Sequence, residues 1–174
     1  PLTVAVLSCG AGFQTQEKPM SNDRERVLLI TGASTGIGAA TARAAAAEGW
    51  RVAMTARSED KLEALVEELG SERAFAVRCD VTDYADQERM VEAVLERFGR
   101  IDAVLANAGI GGEPGGFSGA PVESWRRMVD TNILGVAYTL RATLGAVKQS
   151  AGHVLLTGSV AGRRRGVTPP GRGT

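Results

Sequence analysis

Short apolar runs and longer amphipathic segments alternate along the chain from Arg26 onward. The apolar runs predict five strands at 26–31, 51–56, 74–79, 101–106 and 152–158. Their nearly continuous hydrophobicity is typical of strands that are covered on both faces, as in a parallel sheet. Alanine and leucine at helical spacing between these runs predict helices at 36–48, 59–69, 84–98 and 121–149.

This alternation predicts an α/β fold with a doubly wound parallel sheet. Ligands bind to such sheets in the crevice outside the carboxyl ends of the strands, so functional residues are expected there. Two residues indicate the ends of the second helix. Ser58 is a candidate N-cap, and Gly70 is a candidate stop. The glycine-rich segment 111–119 is predicted to be a flexible loop.

The two ends of the chain depart from this pattern. Met20 precedes a polar stretch and then the first predicted strand, which indicates that residues 1–19 are a non-native or disordered N-terminal extension. A competing interpretation is a genuine extra strand within the run "LTVAVL". The regular domain is then 20–162, and 163–174 is an irregular tail rich in arginine, proline and glycine.

Composition narrows the possible partners. The chain has 174 residues, 44% of them hydrophobic, with 20 basic and 20 acidic side chains, so neither nucleic acid nor an anionic membrane is expected as a bulk electrostatic partner. No apolar run reaches the roughly 20 residues of a membrane span. The two cysteines lack metal-ligand spacing, which predicts no metal site and suits a reducing cytoplasm. The single histidine, His153, is interpreted as a turn residue.

A glycine-rich turn, "TGASTGIG", joins the first predicted strand to the first helix. Gly32, Gly36 and Gly38 allow a sharp turn and close approach of a pyrophosphate, while amides at the helix start point toward its oxygens. A tight strand-to-helix turn that binds no ligand would need similar residues. This motif alone is therefore consistent both with a pyrophosphate-binding turn and with a purely structural turn.

Four further motifs follow in order, each near a predicted strand end or in the long helix: "CDVTD", "NAG", "TNILG" and "LTGSVAG". Together with the glycine turn they resemble the classical short-chain dehydrogenase/reductase family, over residues 27–162. The resemblance implies a Rossmann-like fold of strand order 3-2-1-4-5 that is incomplete at the C-terminus. It also implies a set of cofactor-binding residues along the strand ends, namely Gly32, Ser34, Gly36, Ile37, Gly38, Asp80, Val81, Asn107, Ala108 and Gly109.

Two of these assignments have structural alternatives. Asp80 could simply end a strand, and the side chain of Asn107 could satisfy backbone groups of neighbouring strands.

The residue after the second strand bears on the choice of cofactor. An NAD-preferring fold usually presents an acid to the ribose hydroxyls at this point, whereas this chain has Arg57. An arginine can bind a 2′-phosphate by charge-assisted hydrogen bonds, which favours NADP over NAD. In the alternative, Arg57 is solvated and Glu59 or Asp60 turns inward.

The resemblance implies hydride transfer between NADP(H) and a small alcohol or carbonyl substrate, with Ser159 holding the substrate oxygen and Asn132 ordering a proton-relay water. The family's Tyr-x-x-x-Lys motif is expected shortly after the serine, and no match follows Ser159 in these residues. Tyr84, Tyr138 and Lys148 lie earlier, in predicted helices, and do not fit the motif.

The chain is therefore expected to be an inactive N-terminal fragment of such an enzyme. Its tail is interpreted as frame-shifted or truncated, and one sheet edge and one apolar helix face are expected to be uncovered. A non-catalytic nucleotide-binding or partner-binding module is the alternative. Another doubly wound enzyme, such as a methyltransferase, would fit the alternation but not the motifs. Self-association is expected, if at all, through helix 121–149.

Overall fold

Six strands form one sheet in the computed structural model, which describes residues 4–7, 26–114 and 116–159. The order across the sheet is β1-β6-β5-β2-β3-β4, and β2 to β6 are parallel. These five strands have the predicted order 3-2-1-4-5, so the doubly wound fold is confirmed. The strands are β1 Val4–Leu7, β2 Val27–Thr31, β3 Arg51–Ala56, β4 Ala74–Arg78, β5 Ala103–Ala106 and β6 His153–Thr157.

Helices cover both faces of the sheet, and none in the described part of the chain is long and apolar enough to span a membrane. The helix predicted over 121–149 is confirmed, but a π-helical turn, Asp130–Leu134, lies within it and separates two α-helical parts. Such single π turns inside helices are rare, and the residue spacing did not predict this one. The helices are α1 Gly36–Ala47, α2 Glu59–Leu69, α3 Tyr84–Phe98, α4 Gly116–Gly119, α5 Val122–Val129 and α6 Gly135–Gln149.

The core has two halves, one on each face of the sheet. Successive residues of a strand point to opposite faces, so Val27 and Leu29 of β2 join one half and Leu28 and Ile30 the other. The first half packs against α3 and α6, and the second against α1 and α2. Burying both faces explains why β2 reads as an unbroken apolar run, since each such side chain contributes about 1.5–3 kcal/mol on burial.

Helix ends match the sequence signals in part. Gly70 ends α2 with a φ of +88°, a conformation that favours glycine, which confirms the predicted stop. Ser58 makes no side-chain hydrogen bond to the helix it precedes, so its predicted capping role is wrong. The side chain that does cap a helix is Asp83, which accepts a bond of 2.9 Å from the Ala85 amide at the start of α3.

The segment 111–119 is also more regular than predicted. A short helix, Gly116–Gly119, forms at its end. Before it, the Glu113 amide donates to Ser124 Oγ on α5 at 3.4 Å, and the Glu113 carboxylate pairs with Arg127. The loop is therefore attached to α5.

The outer edge of β6 is occupied by β1, which pairs with it antiparallel from Val4 opposite Thr157 to Leu7 opposite Val154. The expected uncovered edge at this strand is therefore covered, and a strand within "LTVAVL" matches the competing interpretation. The origin of residues 1–19 stays a prediction, and the tail 163–174 lies outside the described residues. Apolar side chains remain exposed on α5 and the π turn, among them Val122, Val129 and Ile133.

Candidate functional site

A cavity of about 380 Å³ opens at the carboxyl ends of β2, β3, β4 and β5, the position expected for a ligand crevice in this fold. All the predicted cofactor-binding residues line it except Gly36 and Gly38. Six further residues that were not among the predicted site residues also line it, namely Thr35, Ala56, Ser58, Cys79, Ile110 and Thr131.

The glycine turn brings β2, α1 and β5 into backbone contact. Gly32 has a φ of +66°, and a Cβ there would lie 2.7 Å from the Cα of Ala108. A Cβ on Gly38 would lie 2.8 Å from the Cα of Ala33 and 2.9 Å from Asn107 Nδ2. Gly38 therefore sits behind the cavity wall as a packing residue that lets α1 begin against the turn.

The same turn leaves room and donors for a phosphate group. Gly36 has a φ of +57° and nothing within 4 Å of where its Cβ would be. The first amides of a helix have no intrahelical partners, and α1 begins at Gly36, beside the cavity. A dinucleotide pyrophosphate fits this arrangement of close backbone and helix-start amides.

Asn107 ties the ends of three strands together. Its Nδ2 donates to the carbonyls of Thr31 and Gly32 at 3.1 and 3.2 Å, and its Oδ1 accepts from Thr157 Oγ1 at 3.1 Å. The structural alternative for this residue therefore holds, and Asn107 also lines the cavity. Thr31, which the sequence analysis missed, accepts at Oγ1 from the amides of Asn107 and Ala108 at 3.0 and 3.1 Å.

Asn132 lies in the π turn and holds the segment that follows β5. Its Oδ1 accepts from the Ile110 amide at 2.8 Å, and its Nδ2 donates to the Ile110 carbonyl at 2.9 Å. A Cβ on Gly109 would lie 3.3 Å from Asn132 Oδ1, so the two segments are in close contact. Asn132 thus touches the cavity wall from behind rather than lining it.

The loop after β4 is fixed by hydrogen bonds to carboxylates. Asp80 Oδ1 accepts from the amide and the hydroxyl of Thr82 at 3.0 and 2.8 Å, and the Asp80 amide donates to Asp86 Oδ2 at 3.0 Å. Next to it, burial raises the pKa of the Cys79 thiol to about 11, so this side chain is a neutral part of the wall at neutral pH.

Arg57 lines the cavity at the end of β3 and is exposed. Glu59 and Asp60, the acids that the alternative interpretation would turn inward, are in the first turn of α2 and are not among the lining residues. No group of three or more His, Cys, Asp and Glu side chains that could hold a metal occurs in the part of the chain that the structure describes.

The predicted substrate-side residue, Ser159, lies two positions beyond β6, is exposed and does not line the cavity. Tyr84 and Tyr138 pack edge to face on α3 and α6 with ring centroids 5.5 Å apart. His153 begins β6, at the amino end of the strands, and its amide donates to the Asp102 carbonyl at 2.9 Å.

Residues 26–169 match the family model described as short chain dehydrogenase. The chain belongs to this family. The match continues past Gly162, where the resemblance was predicted to end. It covers each of the motifs on which the resemblance was based, so the predicted family is confirmed.

Individual relatives agree with this assignment. The chain is 39% identical over 143 residues to an uncharacterized oxidoreductase of Listeria monocytogenes, covering 80% of this chain and 57% of the relative. An alcohol dehydrogenase from Thermococcus sibiricus, solved with 5-hydroxy-NADP, has a TM-score of 0.69 and 41% identity, over 74% of this chain and 56% of that one.

A second solved structure, a 3-ketoacyl-(acyl-carrier-protein) reductase from Brucella melitensis in complex with NADH, also has a TM-score of 0.69. It is 34% identical, over 72% of this chain and 52% of that one. The chain therefore spans little more than half the length of the relatives it matches. Its membership of an oxidoreductase family is shown, whereas the choice between NADP and NAD, self-association and the cellular compartment stay predictions.

Proposed function

We propose that this chain forms the nucleotide-binding part of an oxidoreductase that transfers a hydride between NADP(H) and a small alcohol or carbonyl compound. The observation that carries the cofactor preference is the position of Arg57 in the wall of the cavity, at the end of β3. A 2′-phosphate would meet a guanidinium there, with which it can form paired, charge-assisted hydrogen bonds.

The residues around the cavity would divide the cofactor between them. The start of α1 and the turn at Gly32 and Ser34 would receive the pyrophosphate, while Asp80 and Val81 would border the adenine. Gly109, held near Asn132, would line the nicotinamide side. When bound, the nicotinamide carries the hydride that is exchanged with the substrate.

On this proposal, Asn132 and Ser159 act on the substrate side. Asn132 would order a water for proton transfer, and its present bonds to Ile110 would fix it in the π turn. Ser159 would hold the substrate oxygen through its hydroxyl. The tyrosine and lysine that the family uses for acid-base catalysis do not follow Ser159 in these residues, so the 174-residue chain is expected to bind cofactor without turnover.

Binding of NADPH and NADH to the purified chain, measured by calorimetry, tests the proposal. We expect tighter binding of NADPH, and we expect Arg57→Ala to weaken NADPH by about tenfold or more while NADH changes little, because a charged hydrogen bond contributes about 1.5–3 kcal/mol. Arg73→Ala is a charge-matched control, since Arg73 is exposed and precedes β4 at the opposite end of the sheet.

Four results would count against parts of this proposal. Tighter binding of NADH than of NADPH would contradict the cofactor preference, and equal losses in the two arginine variants would remove the role of Arg57. Carbonyl reduction by the 174-residue chain would contradict its inactivity. Binding without turnover in a longer chain that matches the relatives over their full length would favour the alternative of a non-catalytic nucleotide-binding module.

A further inference from the structure

Gln87, in the first turn of α3, is fully buried, with 0% of its surface exposed. Its Nε2 donates to the carbonyls of Val81 and Gly135, both at 3.0 Å. Its Oε1 lies 3.0 Å from the hydroxyl of Thr139, which can donate to it. Burying an amide is costly unless it is hydrogen-bonded, and both amide protons are used here.

The two carbonyls that Gln87 joins belong to two different segments, of which one lines the cavity and the other lies beside it. Val81 lines the cavity after β4, whereas Gly135 directly follows the π turn that contains Asn132. These parts also touch, because a Cβ on Gly135 would lie 2.9 Å from Val81 Cγ2. Gln87 therefore binds both sides of a close contact that only a glycine permits.

The connection continues to the other side of the cavity through Asn132. This side chain binds both the amide and the carbonyl of Ile110, which lines the cavity after β5. A continuous series of contacts thus runs from Val81 through Gln87, Gly135 and the π turn to Ile110. Apolar packing alone could fill the site of Gln87, but it could not fix two carbonyl groups relative to each other.

We infer that Gln87 is a positioning residue that sets the π turn, and with it the Asn132 to Ile110 contact, relative to Val81. Its effect on cofactor binding rests on the proposed function, because Val81 and Ile110 would then border opposite halves of one dinucleotide. Its effect on the geometry of the wall does not depend on that function.

Amide hydrogen exchange of the ligand-free chain tests the inference. Gln87→Met keeps the approximate length of the side chain and removes its amide. We expect exchange of the Ile110 amide to become about fivefold faster, which corresponds to the roughly 1 kcal/mol of a net hydrogen bond. None of the hydrogen bonds of Gln87 described above is made to Ile110. If Gln87 only filled space in the core around it, exchange of the Ile110 amide would therefore stay unchanged.

Two threonines of α6 give a matched pair of milder variants. Both are buried, and each hydroxyl oxygen lies within hydrogen-bond distance of the carbonyl four residues earlier, at 2.8 Å for Thr139 and 2.7 Å for Thr143. The Thr139 hydroxyl has one proton for two acceptors, that carbonyl and Gln87 Oε1. Only Thr139 also reaches Gln87. Thr139→Val should therefore speed exchange at Ile110 severalfold, and Thr143→Val should not. If Gln87→Met does not fold, the comparison of the two threonine variants decides the matter.

Equal exchange at Ile110 in Thr139→Val and Thr143→Val, or no change in a folded Gln87→Met, would overturn the inference. NADPH affinity is the second measurement, with about a tenfold loss expected in Gln87→Met and less than twofold in Thr143→Val. Failure of the unaltered chain to bind either NADPH or NADH would contradict the proposed function, while the exchange result would still decide the role of Gln87.

Discussion

The two ends of the sheet join the same strands, β2 and β5, by different means. At the amino end the Asp102 carboxylate accepts from the Val27 amide at 2.9 Å and forms an ion pair with Arg100, whose pKa it raises. At the carboxyl end the neutral side chains of Thr31 and Asn107 bond to the backbone across the strands.

This difference separates two requirements on the molecule. A carboxylate paired with an arginine ties the strand starts strongly, in a region with no predicted role in binding. Near the proposed binding site, neutral hydroxyl and amide groups hold the strand ends while adding no negative charge where phosphates are expected. We therefore expect changes at the amino end to act mainly on stability, and changes at the carboxyl end to act on both stability and binding.

The largest effect is expected from Asp102→Ala. It leaves the buried Val27 amide without its carboxylate acceptor and removes the ion-pair partner of Arg100, so the free energy of unfolding should fall by about 3 kcal/mol. Urea denaturation measures this loss. Glu113→Ala is the control, because its ion pair with Arg127 is solvent-exposed and should contribute less than about 1 kcal/mol.

Under conditions where the Asp102→Ala variant is still folded, its affinity for NADPH should match that of the unaltered chain. Weaker binding in the folded variant would show that the two ends of the sheet are coupled. A loss of stability no larger than that of Glu113→Ala would contradict the role given to the amino-end carboxylate.

Thr31→Val probes the carboxyl end and should have a smaller effect on stability. Two backbone amides lose their acceptor, so we expect a loss of about 1–2 kcal/mol, together with weaker NADPH binding because Ala108 and Asn107 line the cavity. The control is Thr55→Val on the neighbouring strand, where Oγ1 is buried beside the weakly bonding Cys79 thiol and makes no ordinary hydrogen bond.

Thr55→Val should change stability by less than about 0.5 kcal/mol, since replacing an unpaired buried hydroxyl with a methyl group removes little. If the two threonine variants lose equal stability, the hydrogen bonds at Thr31 do not hold the strand ends. If Thr31→Val loses stability but binds NADPH normally, the expected difference between the two ends of the sheet is wrong.

Strands β2 to β6 could be predicted from the sequence because each of them contributes side chains to the core on both faces of the sheet. Predicted strand 51–56 and helices 59–69 and 84–98 have the bounds found in the structure. Local signals were weaker where tertiary contacts decide the outcome. Ser58 is of a residue type that is common at N-caps, but its side chain makes no capping hydrogen bond. The π turn at Asp130–Leu134 follows no residue pattern that predicts it.

Most of the cavity wall could also be predicted, because its motifs follow strands whose ends meet in any doubly wound sheet. The residues behind the wall could not. Thr31 reads as an ordinary strand residue and Gln87 as an ordinary polar residue of a helix. Their bonds join positions far apart in the chain, such as Gln87 to Gly135, and no spacing in one sequence reveals such a pair.

The smallest expected effect is on the pH dependence of stability, at the carboxyl end of the sheet. There the Asp86 carboxylate accepts a hydrogen bond from the Asp80 amide and so holds the loop after β4. The Asp80 amide, and to a lesser degree Arg89, hold the pKa of Asp86 below its usual range, against the opposing effect of burial. A carboxyl group with a lowered pKa in the folded state stabilises the fold above its unfolded pKa of about 4, and this contribution is lost as the pH falls through the folded pKa.

Asp86→Asn should therefore reduce stability at pH 7 by less than about 1 kcal/mol, with the difference from the unaltered chain shrinking as the pH falls below about 4. Urea denaturation at a series of pH values measures it. Glu88→Gln, at an exposed acid of the same helix, is the control for removing one negative charge. A difference that stays constant from pH 7 to pH 3 would mean that the shape of the Asp86 side chain, and not its charge, holds the Asp80 loop at the rim of the cavity.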